Sequence, residues 1–424
     1  MLRVIRQNIH LVWLGRIRMP KARKSRARKS TVLILSSLLA LGFGSRAHAD
    51  ENLIKIVSSL PRTGSANAQT TTMVNGIRLA IAEAGSKAGD FNLVYEDWDD
   101  ASPERGQWDP AVEAANADKA IKDLDVMVYV GPYNSGAAKI SMPKLNAANL
   151  VDVNPSASWP GLTKPGKGEA NEPQVYRPTN QVTFFRVVPA DDIQGLVGAE
   201  WASELGAKKV FIIHDRELYG KGIAEMFKKS APQFKLDIVG FEGIDAKASN
   251  YKTLVTKIRQ QRPDLVYFGG TTQSNAGQFA KDLAGAGLAA KLMVPDGCFE
   301  NAFIEAAGKD NLEGKVFITF GGVPPKELKG KGRDFYEAYK KMYNAEPEAY
   351  AVYGYEAAKV AIDAIRRVGK KDRRAILEAV RSTKDYDGAL GKWSFDANGD
   401  TSLRTMSGNT VKNGQFEFVK ILGS

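Results

Sequence analysis

The feature that most constrains the fold is a repeated alternation of two hydrophobic patterns. Short apolar runs bounded by turn residues predict strands, and longer stretches with apolar side chains every three or four positions predict helices. The predicted strands are Leu53–Leu60, Phe91–Asp97, Val126–Gly131, Val151–Val153, Phe184–Val188, Lys209–His214, Leu236–Glu242, Leu265–Gly269, Lys291–Val294 and Val316–Thr319. The predicted helices are Met73–Ala84, Ala111–Lys122, Ala137–Ala148, Ile193–Leu205, Lys221–Lys229, Tyr251–Arg259, Gly277–Ala286 and Asn301–Ala307, with further helices between Arg333 and Val380. This alternation indicates an α/β fold of parallel sheets covered by helices on both faces.

The number of strands and the position of one long loop indicate two lobes. Ten predicted strands suit two sheets better than one. The stretch Pro155–Pro189 is rich in Pro, Gly, Lys and Asn, and a loop of this length is usually functional or joins lobes. After Asp385 the pattern changes to two short aromatic strands, GKWSF and GQFEFVKIL, with a turn at Asn398-Gly399 before the second.

The excess positive charge is confined to the N-terminal segment. The chain has 59 Lys and Arg against 48 Asp and Glu, but residues 1–49 hold eleven of the basic side chains and no acidic one. Residues 50–424 are therefore neutral overall, with 48 charged residues of each sign. Because binding to a phosphate backbone needs a basic face, we predict no nucleic-acid partner.

The same N-terminal segment has the pattern of a secretory signal peptide. A basic region precedes the uncharged run Thr31–Gly44, which is followed by Ala47-His48-Ala49, an A-x-A cleavage site. The run has 14 residues, so as a helix it would rise about 21 Å, short of the roughly 30 Å that a membrane anchor needs. We therefore predict that residues 1–49 are removed and that the protein is periplasmic.

Two further expectations concern the leader. No cysteine lies near Ala49, so we predict a free protein and not a lipid-anchored one. Translation from Met19 would give a leader of 31 residues, close to the upper end of the usual range. We therefore hypothesise that Met1–Arg18 is an over-extended start.

Catalytic and metal motifs are scarce in the sequence. Cys298 is the single cysteine and His214 is the one histidine after the leader, so a zinc site or a Cys-His pair has little support. Asp396–Asp400 imitates half a calcium loop, but its later positions lack ligands, which favours a β-turn. We predict no metal and no cofactor. A secreted hydrolase would have only Cys298 and His214 as candidates, and Cys298 fits a small buried residue better.

Three segments at predicted strand ends carry groups suited to ligand binding. Ser135 lies in GPYNSG, between a strand and a helix, where a helix N-terminus suits a carboxylate; the alternative is an ordinary N-cap serine. Ser156 and Ser158 follow the next strand in NPSASW. Asp296 follows a later strand in VPDG, where it either binds a cation or forms an Asp-Gly turn. Ligands gather at such edges of open parallel sheets.

Four ordered motifs carry a family resemblance. They are Ile213-His214-Asp215-Arg-Glu-Leu-Tyr219-Gly220-Lys-Gly222, Gly240-Phe-Glu-Gly243-Ile, Asp264-Leu-Val-Tyr267-Phe-Gly269-Gly270 and Pro295-Asp296-Gly297. Together they closely resemble the leucine–isoleucine–valine-binding proteins, which are periplasmic components of ABC importers. The resemblance covers nearly all of residues 52–424.

The resemblance implies a fold and a role. It implies a type I periplasmic binding protein of two Rossmann-like lobes joined by a three-strand hinge. The N-terminal lobe would comprise residues 50–190 plus 319–404, and the C-terminal lobe residues 191–318 plus 405–424. A monomer would capture a zwitterionic amino acid between the lobes and deliver it to an ABC permease and ATPase complex in the inner membrane.

The resemblance also implies individual contacts. Ser135 would meet the ligand carboxylate, Ala157 would supply a backbone contact, and Ser158 would supply a second hydroxyl. Tyr219 would close over the ligand from the second lobe. Asp296 would pair with the ligand ammonium.

Departures from the family pattern concern the side-chain end of the ligand. Gln69 and Thr271 stand where branched-chain binders often have tyrosines, and Tyr133 stands where an aliphatic residue is common. We therefore expect a branched-chain or related amino acid; the alternative is an aromatic or other small organic acid, which would use the serines and have little use for Asp296. Compared with the family pattern, the segment Ser102–Pro110 and the loop Gly166–Tyr176 look enlarged.

Overall fold

The computed structural model describes residues 51–423. The predicted signal peptide, its cleavage site and Met19 lie outside the described residues. Within residues 51–423, no helix is long and apolar enough to cross a membrane.

Seventeen strands and twelve α-helices make up the described part of the chain. The strands are β1 (Leu53–Leu60), β2 (Lys87–Ala88), β3 (Phe91–Asp99), β4 (Ala101–Ser102), β5 (Gln107–Trp108), β6 (Val126–Val130), β7 (Val151–Asn154), β8 (Phe184–Arg186), β9 (Lys209–His214), β10 (Asp237–Gly243), β11 (Leu265–Gly269), β12 (Lys291–Val294), β13 (Val316–Gly321), β14 (Tyr386–Gly388), β15 (Gly391–Trp393), β16 (Met406–Lys412) and β17 (Gln415–Leu422). The helices are α1 (Asn67–Glu83), α2 (Pro110–Lys122), α3 (Ser135–Ala147), α4 (Asp191–Glu204), α5 (Leu218–Ser230), α6 (Lys252–Gln261), α7 (Ala276–Gly285), α8 (Asn301–Ala307), α9 (Lys309–Leu312), α10 (Lys331–Tyr343), α11 (Ala351–Val368) and α12 (Arg373–Arg381).

Two large sheets organise these elements. The first sheet has the order β2-β3-β1-β6-β7-β8 and is parallel except for β2. The second has the order β10-β9-β11-β12-β13-β16-β17, and its parallel part ends where β16 pairs antiparallel with β13. Central strands such as β6 and β11 are buried along their whole length, as expected for parallel strands covered on both faces.

The chain passes between the two sheets three times. It leaves the first sheet after β8, returns after β13 to form α10, α11 and α12, and enters the second sheet again at β16. On its return α11 packs along α1. This arrangement confirms the predicted α/β fold of two helix-flanked sheets. The exact lobe bounds stay a prediction, and the proposed boundary at residue 319 falls within β13.

The predicted elements match the observed ones with two instructive differences. All ten predicted strands are present, but β16 was missed because its sequence, MSGNTVK, is mostly polar although most of it is buried between β13 and β17. Helix α1 begins at Asn67, six residues before the predicted start at Met73. The added turns carry buried polar side chains such as Gln69 and Thr70, which apolar periodicity does not reveal.

A buried arginine connects the loop after β7 to the segment between β15 and β16, which contains Asp400. Arg186 is 0% exposed. Its Nε donates to Asp400 Oδ1 at 2.6 Å, and its Nη1 donates to the backbone oxygens of Ala157 and Trp159 at 3.2 and 2.9 Å. Its Nη2 donates to the Thr163 hydroxyl. One guanidinium therefore holds both segments in place.

Candidate ligand-binding cleft

The first-sheet half of the cleft is formed by the loops that follow β6 and β7. The Asn154 side chain joins them, since its Nδ2 donates to Pro132 O at 3.0 Å. Its Oδ1 accepts from the backbone nitrogens of Ser156 and Ala157 at 2.9 and 2.7 Å. A strand-end asparagine thus fixes the position of both serine-bearing loops.

Ser135 begins α3 and faces the second loop. Its Oγ accepts from the backbone nitrogen of Trp159 at 3.2 Å. The N-cap residue is Asn134, so the alternative of an ordinary N-cap role for Ser135 is wrong. Ser156 Oγ donates to Tyr133 O at 3.1 Å, which brings a hydroxyl of the second loop against the first.

The second-sheet half is formed at the carboxyl ends of β9, β11 and β12. Asp296 follows β12, and its Oδ1 accepts from Tyr219 Oη at 2.6 Å and from Gln194 Nε2 at 2.8 Å. Tyr219, at the start of α5, also accepts from the backbone nitrogen of Gly297 at 3.2 Å. The Asp296 carboxylate is therefore held in one orientation by neutral donors.

A tyrosine from the first-sheet side closes the cleft. Tyr350 lies just before α11 and its hydroxyl donates to Asp296 Oδ2, while its ring meets that of Tyr133 edge-on at 6.0 Å. Between the two halves lies a cavity of only about 20 Å³, far below the usual range of about 300–1,000 Å³ for small-molecule sites. It is lined by Tyr133, Asn134, Ser135, Ser156, Tyr219, Thr271, Gly297 and Tyr350.

The predicted site residues fall into three groups. Tyr133, Ser135, Tyr219 and Thr271 line the cavity. Asp296 lies against two lining tyrosines, and Gln69 Oε1 accepts the Tyr133 hydroxyl hydrogen bond. The other two, Ala157 and Ser158, are not among the lining residues.

Ala157 and Ser158 are buried beside the cavity. The Ala157 nitrogen donates to Asn154 and its oxygen accepts from Arg186, so both backbone groups are engaged within the protein. Ser158 O accepts from the backbone nitrogen of Asp191 at 3.1 Å. Direct ligand contacts of Ala157 and Ser158 stay a prediction.

Sequence reasoning missed Tyr350, Gln194 and Gly297. Tyr350 lies 54 positions from Asp296, and Gln194 lies 102 positions from it, so no local motif joins either to the carboxylate. Gly297 was treated as part of an Asp-Gly turn. A Cβ there would lie 2.9 Å from Gly270 O and 3.0 Å from Tyr219 Cε1, which is a specific signal for close packing.

Burial controls the ionisation of the groups around Asp296. Burial and the nearby Asp296 carboxylate raise the pKa of Tyr219 and of Tyr350 well above the ordinary value, so both phenols stay protonated hydrogen-bond donors. Burial also raises the pKa of Asp191, at the start of α4, and Asp296 adds to that shift. Burial and the Asp296 charge therefore both favour the protonated form of the Asp191 carboxyl.

Cys298 and His214 do not form a catalytic pair. Cys298 is fully buried with its Sγ directed at Gly270 O, and burial raises the pKa of its thiol. His214 ends β9, as predicted; its Nδ1 accepts from the backbone nitrogen of Arg216, and burial lowers its pKa to about 4. Both side chains therefore contact backbone groups of the surrounding fold, which indicates structural roles.

The segment Ser102–Pro110 reaches across the mouth of the cleft. It forms a hairpin of β4 and β5, and its Gln107 Nε2 donates to Glu217 Oε1, on the second-sheet side, at 3.4 Å. Arg105 Nη2 lies 3.6 Å from the same oxygen. The enlarged segment therefore contributes contacts that join the two halves.

A family model described as periplasmic binding protein matches residues 53–415. The chain belongs to this family. It is therefore a binding protein and not an enzyme, and the secreted-hydrolase alternative is wrong. This periplasmic binding protein is 31% identical over 376 residues to Leu/Ile/Val-binding protein homolog 2 of Brucella abortus (strain 2308), with 87% of this chain and 92% of the relative covered.

Solved structures show the same fold. A leucine-binding protein from Thermotoga maritima has a TM-score of 0.77 and 25% identity, covering 87% of this chain and 99% of its own. The branched-chain amino acid transporter substrate-binding protein LivJ from Streptococcus pneumoniae, in complex with isoleucine, has a TM-score of 0.75 and 27% identity, with the same coverage. These likenesses agree with the predicted family.

Closure of this periplasmic binding protein depends on a glycine at the contact between its halves. Gly222 of α5 packs on Trp159, and a Cβ added there would lie 2.5 Å from two indole carbons. Gly222→Ala is therefore expected to hold the halves apart and to cost the closed state about 1–3 kcal/mol, or about five- to 150-fold in ligand affinity. Calorimetric titration would measure this loss.

Gly285→Ala is the matched control for Gly222→Ala, since nothing lies within 4 Å of a Cβ added at that helical glycine. Its ligand affinity should equal that of the unmodified protein. Equal affinities for all three proteins would show that the Gly222–Trp159 contact does not accompany binding.

Proposed function

We propose that this protein is the periplasmic solute-binding component of an ABC importer and captures an amino acid in the cleft between its two halves. The observation that carries the proposal is the oriented Asp296 carboxylate, held by Tyr219 and Tyr350 beside a small closed cavity that also contains the Ser135 hydroxyl. An acidic oxygen and a hydroxyl at a helix start match the ammonium and carboxylate of a zwitterion.

Binding would couple to closure through these same residues. A ligand ammonium would replace the Tyr350 hydroxyl on Asp296 Oδ2, and a ligand carboxylate would meet Ser135. Ser158 and the backbone of Ala157 would join this contact after a small shift of the loop that Asn154 and Arg186 hold. The ligand shifts the open–closed equilibrium by its greater affinity for the closed form.

The cellular role follows from the leader and the family. Residues 1–49 would direct export and be removed after Ala49, which would leave a free monomer in the periplasm. The closed, loaded form would then dock on the permease and ATPase complex. The names of the relatives, which include a Leu/Ile/Val-binding protein homologue and an isoleucine complex, support an amino acid as the cargo.

Titration calorimetry on residues 50–424 with leucine, isoleucine, glutamine, lysine, arginine and benzoate tests this proposal. At least one amino acid is expected to bind measurably tighter than benzoate, because benzoate has no ammonium to satisfy Asp296. Binding of benzoate with no binding of any amino acid would replace the proposal with the organic-acid alternative.

A further inference from the structure

The segment after Asp296 faces the first-sheet half along the side of the cleft. Asp296 meets Tyr350, and Asn301 follows five residues later; its Nδ2 donates to Glu348 Oε1 at 2.9 Å. Glu300 lies directly before Asn301 and is only 1% exposed. Its carboxyl group is therefore enclosed near the junction of the two halves and not in solvent.

The Glu300 carboxyl is only partly used by the protein. It occupies the N-cap position of α8 but makes no capping hydrogen bond. Its Oε1 accepts from Gln273 Nε2 at 3.2 Å, and its Oε2 has no hydrogen-bond partner among residues 51–423. Burial raises the pKa of Glu300 to about 8, the Thr272 hydroxyl opposes this shift, and the Glu348 carboxylate adds to it.

An unused amide lies on the first-sheet side. Gln69 of α1 is 0% exposed, and its Oε1 accepts from the hydroxyl of Tyr133, which lines the cavity. Its Nε2 has no partner within the described part of the chain. One turn further along α1, the Thr72 hydroxyl accepts from the backbone nitrogen of Glu348 at 3.3 Å, so the helix face that carries Gln69 lies beside the Glu348 segment.

Two further acceptors near Glu300 are also unused. Gln273 Oε1 and Glu348 Oε2 are buried without a hydrogen-bond partner in residues 51–423. Gln273 donates to Glu300, and Glu348 contacts the neighbouring Asn301. Three unpaired acceptor oxygens therefore lie on the Glu300 side of the cleft, and one unpaired amide donor, Gln69 Nε2, lies on the first-sheet side, although buried polar groups are normally paired.

We propose that these atoms form a subsite for the ligand side chain and that it selects an amino acid whose side chain ends in N–H donors. The shared chemistry is that of an amide, an ammonium or a guanidinium group. The inference rests on the proposed function, in which Asp296 holds the α-ammonium. An aliphatic side chain would leave the acceptors unpaired, and sites built to form hydrogen bonds discriminate strongly against ligands that lack the partner group.

The test is a calorimetric comparison of glutamine, lysine, arginine, leucine and isoleucine on residues 50–424 and on Glu300→Gln. In the unmodified protein, the tightest of the three donor-bearing amino acids is expected to bind at least tenfold tighter than leucine or isoleucine. Glutamine as the tightest ligand assigns a neutral amide, and lysine or arginine assigns a cation. Glu300→Gln should weaken that ligand at least tenfold and leave leucine within twofold.

Glu346→Gln is the matched control, because it makes the same change at an exposed carboxylate that pairs with Lys340. It should change no affinity. If Glu300→Gln does not fold, Gln273→Leu removes a second acceptor of the same subsite and should weaken the donor-bearing ligand likewise.

Two results would count against the inference in different ways. Tightest binding of leucine or isoleucine, unaffected by Glu300→Gln or Gln273→Leu, overturns the subsite and leaves the proposed function intact. Binding of none of the five amino acids overturns the proposed function, and the subsite with it.

Discussion

Asp296→Asn is expected to weaken amino-acid binding by about 10- to 150-fold. Hydrogen bonds to charged groups contribute about 1.5–3 kcal/mol net, and each 1.4 kcal/mol corresponds to a factor of ten in affinity. The amide keeps the size of the side chain and an oxygen for Tyr219, but it has no charge to offer an ammonium. Titration calorimetry with the tightest amino-acid ligand measures the change.

The structure explains why this carboxylate should matter more than its neighbours. Asp296 accepts from Tyr219, Gln194 and Tyr350, all of them neutral donors. Its negative charge therefore has no cationic partner among these hydrogen-bonded groups, and a ligand ammonium would supply one in a cleft that excludes water.

The control for this substitution is Asp310→Asn, an identical change at an exposed side chain of α9 that does not line the cavity. It should bind like the unmodified protein. If Asp296→Asn also bound with unchanged affinity, Asp296 would not contact the ligand ammonium, and the organic-acid alternative would gain.

Arg186→Met is expected to lower the free energy of unfolding by about 3–5 kcal/mol at neutral pH, the usual cost of removing one partner of a buried ion pair. The substitution removes the cation that donates to the buried Asp400 carboxylate and frees the backbone oxygens of Ala157 and Trp159. Chemical denaturation measures the change. Arg333→Met, in an exposed pair with Glu337, should cost at most about 0.5 kcal/mol.

The effect of Arg186→Met should depend on pH. Burial acts to raise the pKa of Asp400, but the Arg186 charge and its hydrogen bond, together with Lys164 and Thr163, outweigh burial and hold that pKa below the ordinary value. A lowered folded-state pKa contributes stability above the unfolded-chain value of about 3.9, and this contribution is lost as the pH falls through the folded-state pKa. The stability difference should therefore be full at pH 7 and shrink below about pH 4. A difference that stayed constant over this range would contradict the role assigned to the ion pair.

The strands were predictable because burial on both faces leaves a direct trace in sequence. Strand β6 reads VMVYV and is buried throughout, and strand β11 reads LVYFG and is likewise buried along its length. Strand β16 lacks this trace, since its burial comes from β13 and β17 on either side and not from its own hydrophobicity. Apolar periodicity therefore identifies elements whose own side chains are hydrophobic. It misses polar elements that are buried by the strands beside them.

The residues of the candidate site also divide into those that the sequence could predict and those that it could not. Ser135, Tyr219, Thr271 and Asp296 follow directly after strands, so parallel-sheet topology alone predicts that they gather at one edge. Tyr350 and Gln194 reach Asp296 from other elements, and Gln69 reaches Tyr133 from α1. Their partners lie too far along the chain for any motif to join them.

The amino-acid sequence by itself determined the α/β fold, the family and the strand-end groups suited to a zwitterion, because each depends on local pattern or on ordered motifs. Only the tertiary structure decided which groups surround the Asp296 carboxylate and which polar atoms are left unpaired beside it. The physical reason is that folding brings together side chains from both halves of the molecule. Whether a buried oxygen finds a donor depends on that packing and not on its neighbours in sequence.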